Sequence, residues 1–386
     1  MNLRYRSLDI FRGATVCLMI LVNNPGSWGH IYGPLKHAPW HGLTPTDLVF
    51  PFFLFAVGNA MAFVIPKLKT AGTAFFWRKV IKRTLIIFGI GLFLNWYPFL
   101  RWHEGSLEFI GWVNQHNPEK GVRIFGVLQR IAVCYFFASV IAYFLKPRAA
   151  WFVSLLLLLV YWIVCVAGNP IDPYSLEGWV GTGIDKAMLG LPHMYRGEGV
   201  PFDPEGLLST VPAIVEVILG YFVGSLIKNN ASADDPNAIF KTLTTLFVAG
   251  LTLVVTGLFW DLTFPINKKI WTSSYTVYTV GLATLTLSVM IYLVEIKNYK
   301  GFPTRFFEVF GKNPLFIFAL SAFLPKTAAL FTSDTGVNFW NWFYKKIYIH
   351  IPGDPRLGSF LYALTVIIFM WAICYWLDKK KIYIKV

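Results

Sequence analysis

The chain has 386 residues, of which 56% are hydrophobic, 18% are aromatic and only 14% are charged, and its net charge is +14. Soluble proteins carry about 25% charged residues, so this composition excludes an ordinary soluble enzyme. The apolar residues fall in runs of roughly 20, the length at which a helix crosses the hydrocarbon core of a bilayer. We therefore expect a multi-pass membrane protein with a single transmembrane domain over residues 1–386.

Ten apolar segments are predicted to cross the membrane as helices of an all-α bundle. In chain order they are residues 8–23, 46–65, 80–98, 124–145, 150–167, 207–227, 241–260, 272–295, 306–325 and 358–377. Their continuous apolarity favours helices over a barrel, whose strands alternate apolar and polar residues. The segment FWNWFYKKIYIHI at 339–351 is more polar and is predicted to lie at the interface, with an eleventh span as the alternative.

The distribution of basic residues predicts the orientation of the chain. We number the connections between the predicted spans in chain order. The even-numbered connections and both termini are shorter in total than the odd-numbered connections, and they are denser in lysine and arginine. By the positive-inside rule they face the cytoplasm, so the net charge reflects topology and no nucleic-acid partner is expected. All seven histidines then fall on the extracytoplasmic side: His30, His37, His41, His103, His116, His193 and His350.

The N-terminal segment indicates that the first helix is retained, and the spacing of the cysteines does not indicate a metal site. The first apolar run follows the basic stub MNLRYR and has no A-x-A-like cleavage site, which argues against a signal peptide. The four cysteines lie inside predicted spans, without metal-binding spacing, and are expected to be reduced. They are Cys17, Cys134, Cys165 and Cys374.

Ionisable residues inside predicted spans are candidates for function, because each costs roughly 2.5–3.5 kcal/mol on insertion scales. Asp9 and Arg12 are three residues apart on one helical face, and Arg130 and Glu216 lie in later spans. One interpretation is that these groups pair and hold the bundle together. The other is a polar cavity open to the cytoplasm, where Arg12, Arg83 and Arg130 bind a ligand with several phosphates.

The stretch LKHAPWHGLTPTDLVFPFFLFAVG at 35–58 places His37 and His41 before an apolar run that contains Asp47. A neutral imidazole oriented by a carboxylate suits general-base or nucleophilic chemistry near neutral pH. His37 is therefore predicted to be catalytic, with Asp47 fixing its tautomer. The alternatives are a passive loop histidine, a zinc ligand with His30 and His41, and an Asp47 that only stabilises the start of the next helix.

Seven motifs occur in an order that resembles the heparan-α-glucosaminide N-acetyltransferase family. They are RSLDIFRG, VNNPG, LKHAPWHGLTPTDLVFPFFLFAVG, GVLQRIAVCYF, FDPEGLLSTVPAIVEVILGYFVG, INKKIWTSSYTVYTVGLA and GKNPLFIF, within residues 4–385. The resemblance implies transfer of acetyl from cytosolic acetyl-CoA to the amine of a terminal glucosamine across the membrane. It places His37 at the family's essential histidine. Asn23 stands at the asparagine beside it, which would orient the ring or donate to the oxyanion.

The resemblance also implies where substrates bind. Acetyl-CoA would be the co-substrate, held by the three arginines named above. For the sugar, FDPEGLLST offers Asp203 and Glu205, and INKKIW offers Asn267, Lys268 and Trp271. Alternatively, FDPEGLLST is only the capped start of a helix, and Trp271 is only a tryptophan at the membrane interface. The lysosomal member has a long lumenal domain that this sequence lacks, which favours a smaller amino sugar and a bacterial inner membrane.

Two other functions stay open at this point. An amino-sugar transporter would not need His37. An O-acyltransferase acting on an envelope polysaccharide is the second, because YRSLDIFRG also resembles the first-helix signature of such enzymes. A homodimer is compatible with the many aromatic and small residues.

Overall fold

The computed structural model describes residues 5–231, 235, 237–331 and 338–384, so residues 1–4 of the basic stub lie outside it. Helices dominate the described chain, as the apolar runs predict. They are α1 (Arg6–Asn23), α2 (Val49–Ala71), α3 (Thr73–Trp96), α4 (Val127–Phe144), α5 (Pro147–Gly168), α6 (Gly181–Leu189), α7 (Thr210–Ala231), α8 (Ala238–Asp261), α9 (Ser273–Ile291), α10 (Phe302–Lys312), α11 (Pro314–Ala328), α12 (Phe339–Lys346) and α13 (Pro355–Lys379).

Seven helical segments among the described residues are long and apolar enough to cross a membrane. They are Pro45–Ala71, which is α2 with a 3-10 turn before it, α4, α5, Thr210–Asn230 of α7, α8, Ser273–Ile296, which is α9 with a π-helical turn after it, and α13. The chain is thus a multi-pass membrane protein, as its composition predicts.

Two of the ten predicted spans form helices that are less apolar than these seven. Helices α1 and α3 coincide with the predicted segments 8–23 and 80–98. Their charged residues are Arg6, Asp9 and Arg12 in α1 and Arg78, Lys79, Lys82 and Arg83 in α3. The crossing of the membrane by α1 and α3 therefore stays a prediction.

The predicted continuous helix over 306–325 is broken in the structure. Helices α10 and α11 meet at an angle of 81°, with Asn313 between them, and together they count as an eighth candidate span. The reason is local, because a residue that precedes proline is disfavoured in the α conformation. Asn313 precedes Pro314 and adopts φ −130° and ψ 49°.

Two β-hairpins in the connection between α3 and α4 depart from the predicted all-α fold. Strand β1 (Leu100–His103) pairs antiparallel with β2 (Ser106–Phe109), and β3 (Val113–Asn114) pairs with β4 (Asn117–Gly121). The first hairpin turns at Glu104 and Gly105, both with positive φ, the geometry that a two-residue hairpin loop favours. The sequence analysis missed these strands because they are only two to five residues long.

The centre of the bundle is made by α2 packed against α7, with backbones in close approach. A Cβ atom at Gly58 would lie 2.0 Å from the carbonyl oxygen of Val217, and one at Gly220 would lie 2.3 Å from that of Phe55. Small residues at such crossings are how membrane helices gain packing energy where the hydrophobic effect is weak. This contact fixes α2, which carries much of the site described below.

Ion pairs join the two ends of the described chain at one end of the bundle. Arg6 of α1 binds Glu308 of α10 at 2.9 Å, and Lys312 binds Asp378 of α13 at 2.9 Å. Both ends therefore lie on one side, in keeping with the predicted topology. That this side faces the cytoplasm stays a prediction.

The polar segment at 339–351 forms the short helix α12 and a 3-10 turn (Tyr348–His350). Phe339, Trp342 and Phe343 are exposed on α12, while Tyr344 is buried. At eight residues α12 is too short to cross a bilayer. Its shape fits the predicted interfacial segment.

Candidate active site

Asp47 is anchored at the start of α2 by several hydrogen bonds. It occupies a 3-10 turn (Pro45–Leu48), where its Oδ2 atom accepts hydrogen bonds from the backbone N–H groups of Ala38 and Thr44, each at 3.0 Å. The hydroxyl of Thr44 donates to the same oxygen at 3.0 Å. The carboxylate is only 2% exposed, so its orientation is fixed by the loop that carries His37.

His37 binds the other oxygen of this carboxylate. Its Nδ1 atom lies 2.6 Å from Oδ1 of Asp47. An ionised carboxylate only accepts hydrogen bonds, so Nδ1 carries the proton and the Nε2 lone pair is available for chemistry. The structure therefore brings together the two residues that the sequence analysis paired, in the geometry that fixes a tautomer.

Lys268 completes this group from a distant part of the chain. Its Nζ atom lies 3.0 Å from Nδ1 and 3.4 Å from Nε2 of His37, and 3.5 Å from Oδ1 of Asp47. Burial lowers the pKa of Lys268, and the carboxylates of Asp47 and Glu205 oppose that effect. The sequence analysis included Lys268 in the INKKIW motif but missed this contact, because 231 residues separate the two side chains.

A cavity of about 160 Å³ opens beside His37, and we call it the histidine cavity. Its polar lining consists of Asn23, His37, Thr46, Glu205 and Lys268, and the rest is apolar. Asn23 and His37 thus line the same cavity, and the role of Asn23 stays a prediction. The adjacent Asn24 is buried and donates to the carbonyl oxygen of Ile20 instead.

Two more cavities continue from the histidine cavity towards the other end of the bundle. The middle cavity, of about 130 Å³, shares Phe53 and Ile131 with it. The basic cavity, of about 340 Å³, shares Arg12, Ala56 and Ala60 with the middle cavity. The three cavities therefore adjoin one another in a row along α2.

Cations and one acid line the row at the end opposite His37. Arg12, Lys67 and Lys228 line the basic cavity together with Asp9, and Arg83 lines the middle cavity with Arg12. Arg12 donates to the carbonyl oxygen of Gly311 at 3.0 Å and lies 3.5 Å from Asp9. Two of the three arginines predicted to bind a cofactor thus lie together, and the lysines were not predicted.

The third predicted cofactor ligand, Arg130, lies elsewhere. It is fully buried near the start of α4, where it donates to the carbonyl oxygen of Gly206 at 3.2 Å and to the hydroxyl of Ser209. Its guanidinium also lies 5.0 Å from the ring of Trp271. Arg130 has no exposed surface and is not among the residues that line the three cavities, so the structure does not place it against a ligand in the row.

Of the two predicted sugar-binding acids, only Glu205 lines the histidine cavity. Arg123 binds both acids, at 2.5 Å and 3.1 Å in the case of Asp203. Burial raises the pKa of Asp203, whose side chain has no exposed surface, although Arg123 opposes it. Burial also disfavours the charge of Glu205, yet Arg123 and Arg130 lower its pKa overall. Glu205 is therefore the anionic group that the cavity presents.

Asn267 and Trp271 are buried beside the site and do not line it. The Oδ1 atom of Asn267 accepts from the backbone N–H of Lys269 at 2.7 Å and of Ile270 at 3.1 Å. Trp271 is 1% exposed and packs against Phe50. Neither offers a surface to a sugar, and both instead shape the turn that presents Lys268.

The comparisons with known proteins agree with the motif resemblance. The model for the catalytic region of heparan-alpha-glucosaminide N-acetyltransferase matches residues 4–255. The chain belongs to this family. The human heparan-alpha-glucosaminide N-acetyltransferase is 27% identical in an alignment of length 365 that covers 82% of this chain and 52% of the human protein. The mouse protein is 27% identical in an alignment of length 373 that covers 82% of this chain and 53% of the mouse protein. The chain spans about half the length of these curated relatives.

Proposed function

We propose that this protein transfers acetyl from acetyl-CoA to the amine of a glucosamine-type sugar, with chemistry at His37. The observation that carries the proposal is the row of cavities from the basic cavity to the His37–Asp47–Lys268 group. Family membership supports an acetyltransferase. With the basic end in the cytoplasm, as the charge distribution predicts, the donor would enter there and the sugar would arrive at His37.

The basic cavity suits the phosphates of the donor. Arg12, Lys67 and Lys228 outnumber the acid Asp9 in its lining. Arginine and lysine both bind phosphate oxygens through charge-assisted hydrogen bonds. The narrower middle cavity would take the thin pantetheine arm, which brings the thioester to the histidine cavity.

His37 acts through its Nε2 atom in either of two routes. In the direct route Nε2 takes a proton from the sugar ammonium and the amine attacks the thioester carbon; the C–S bond then breaks, and the departing CoA thiolate takes the second proton that the nitrogen loses. In the covalent route Nε2 attacks that carbon and releases CoA thiolate; a neutral amine then displaces the imidazole, which takes up the proton that the new amide nitrogen loses. Asp47 stabilises the imidazolium or acetylimidazolium in both routes.

Lys268 and Asn23 would stabilise the negative charge that develops on the carbonyl oxygen. An ammonium and an amide that line the same cavity are donors of the kind that form an oxyanion hole. Glu205, held ionised by Arg123, would bind the ammonium of the acceptor. The cavity then favours an amine acceptor over an alcohol, because an alcohol brings no charge to pair with Glu205.

Release of CoA by the detergent-purified protein tests the proposal. We expect release from acetyl-CoA that depends on glucosamine, is lost in His37→Ala and is kept in His30→Ala, an exposed histidine of the same loop. Binding of acetyl-CoA without release in the presence of any amino sugar would contradict the acceptor. No binding of acetyl-CoA would contradict the acetyltransferase itself, and sugar uptake that persists in His37→Ala would then favour transport.

Incubation with radiolabelled acetyl-CoA, without a sugar, separates the two routes. The covalent route predicts acetyl on the wild-type protein that His37→Ala does not retain and that glucosamine removes. The direct route predicts no label on either protein although glucosamine-dependent CoA release is intact.

A further inference from the structure

The two hairpins between α3 and α4 bring two histidines to one carboxylate, outside the cavities described above. His103 ends β1, Glu108 lies on β2, and His116 lies in the turn between β3 and β4. Each strand pair thus contributes at least one of the three side chains. The rings of His103 and His116 stack with centroids 4.3 Å apart and planes 12° from parallel.

The distance from each imidazole to the carboxylate is close to the ligand spacing around a tetrahedral metal ion. Nδ1 of His103 lies 3.4 Å from Oε1 of Glu108, and Nε2 of His116 lies 3.0 Å from Oε2. All three ligand atoms lie within 4.8 Å of one another. Tetrahedral zinc with bonds of about 2.0–2.1 Å separates neighbouring ligands by roughly 3.3 Å. Small side-chain movements would therefore bring all three to one ion.

We propose that His103, Glu108 and His116 bind a divalent transition metal of the zinc type. Two imidazoles and one carboxylate are ligands that zinc takes in proteins, with water in the fourth position. The three side chains are 32–47% exposed, so an ion can reach them from solvent. Bound metal would add a link between the two hairpins to the side-chain contacts of Arg101 with Asn114 and of His116 with Glu108.

Arg101 sets a limit on the affinity of this site. Its NH2 atom lies 3.5 Å from Glu108 and donates to the Oδ1 atom of Asn114 at 3.0 Å. The guanidinium charge repels a metal cation, but its hydrogen bond to Asn114 does not require Glu108. Removal of this charge therefore strengthens metal binding, whereas loss of a ligand weakens it.

Titration of the metal-free full-length protein with zinc chloride, followed by calorimetry, tests the site. The protein carries a purification tag without histidine. We expect about one zinc ion per chain, bound in the wild type and in His350→Ala, a control at another exposed histidine. Loss of an outer partner of a metal site costs roughly 10–100-fold in affinity, so His116→Gln and Glu108→Gln are expected to lose at least that much.

Arg101→Gln gives the complementary result, since we expect it to bind zinc more tightly than the wild type. This gain of affinity cannot come from a variant that fails to fold. No binding by the wild type and by Arg101→Gln would overturn the proposal, as would zinc affinity that stays unchanged in both His116→Gln and Glu108→Gln. The test does not depend on acetyl transfer, so its outcome stands apart from that of the proposed function.

Discussion

The Nζ atom of Lys268 lies 3.0 Å from Nδ1 of His37, although 231 residues separate them in the chain. Because Nδ1 also faces Asp47 at 2.6 Å, the imidazole sits between a carboxylate and an ammonium. Two opposite charges therefore hold the ring from two sides. In the proposed reaction, the same cation would meet the negative charge that develops on the carbonyl oxygen.

Lys268→Gln is expected to lower kcat by roughly 10²–10³-fold, the loss seen when one donor to a developing oxyanion is removed. The KM for glucosamine should change little, because Glu205 still faces the acceptor. Steady-state CoA release measures both constants. Lys269→Gln is the matched control, since its ammonium binds Glu198 and the carbonyl oxygen of Pro39 instead.

A value of kcat for Lys268→Gln close to that of Lys269→Gln would contradict the role given to Lys268. A large rise in KM alone would instead place Lys268 in acceptor binding.

Asp47→Asn is expected to lower kcat by at least about 10²-fold, because an amide can donate to Nδ1 and so favour the wrong tautomer. Thr44→Val separates this effect from helix capping. It removes the hydroxyl bond to Asp47 but leaves the carboxylate on His37. We expect Thr44→Val to lose about 1 kcal/mol of stability and to keep most activity. Equal loss of activity in both variants would show that Asp47 only holds the conformation of the loop that carries His37.

Ala60→Phe tests whether the donor passes along the row of cavities. Ala60 lines both the basic and the middle cavity, so a phenyl ring there would fill the space between them. We expect the variant to lose CoA release from acetyl-CoA. Acetylation of glucosamine by p-nitrophenyl acetate, a small donor able to enter beside His37, should persist. Loss of both reactions would indicate a folding defect, and retention of both would exclude this route for the donor.

Asp185 is expected to make stability depend on pH. It is fully buried on α6 and accepts from the backbone N–H of Leu207 at 2.8 Å, and burial raises its pKa from 3.8 to about 6. Between those values the folded chain binds more protons than the unfolded chain, so stability falls as the pH rises from about 4 to 6. Asp185→Asn keeps an oxygen for Leu207 and removes the titration.

Thermal unfolding between pH 4 and 7 measures this effect. The wild type should lose stability relative to Asp185→Asn as the pH rises, by roughly 2–3 kcal/mol in total. Parallel curves for the two proteins would show that Asp185 does not titrate in this range.

The sequence predicts the long apolar helices well because each is determined by its own residues. Helix α5, for example, covers Pro147–Gly168 where 150–167 was predicted. The bend at Asn313 was missed because apolar residues occur on both sides of the Asn-Pro step, although Glu308 and Lys312 interrupt them on the N-terminal side. The hairpins were missed because their strands are short and gain stability from pairing rather than from a repeating pattern.

The candidate site was predictable only where its residues are close in the chain. His37 and Asp47 are ten residues apart and share one loop, so the sequence pairs them correctly. Arg130 was assigned to the cofactor from its charge alone, and only the fold shows that it lies against Gly206. The pairing of Lys268 with His37 and of Arg123 with the two acids could not be predicted, because these partners are distant in sequence.

Helix α2 lines all three cavities. Val49 at its start lines the histidine cavity and Lys67 near its end lines the basic cavity. The rise between these two residues is about 27 Å, close to the hydrocarbon thickness of a bilayer. One inserted residue would turn everything beyond it by about 100°. If the proposed function is correct, the number of residues in this one helix would therefore set the distance between the nucleotide and the thioester of the donor.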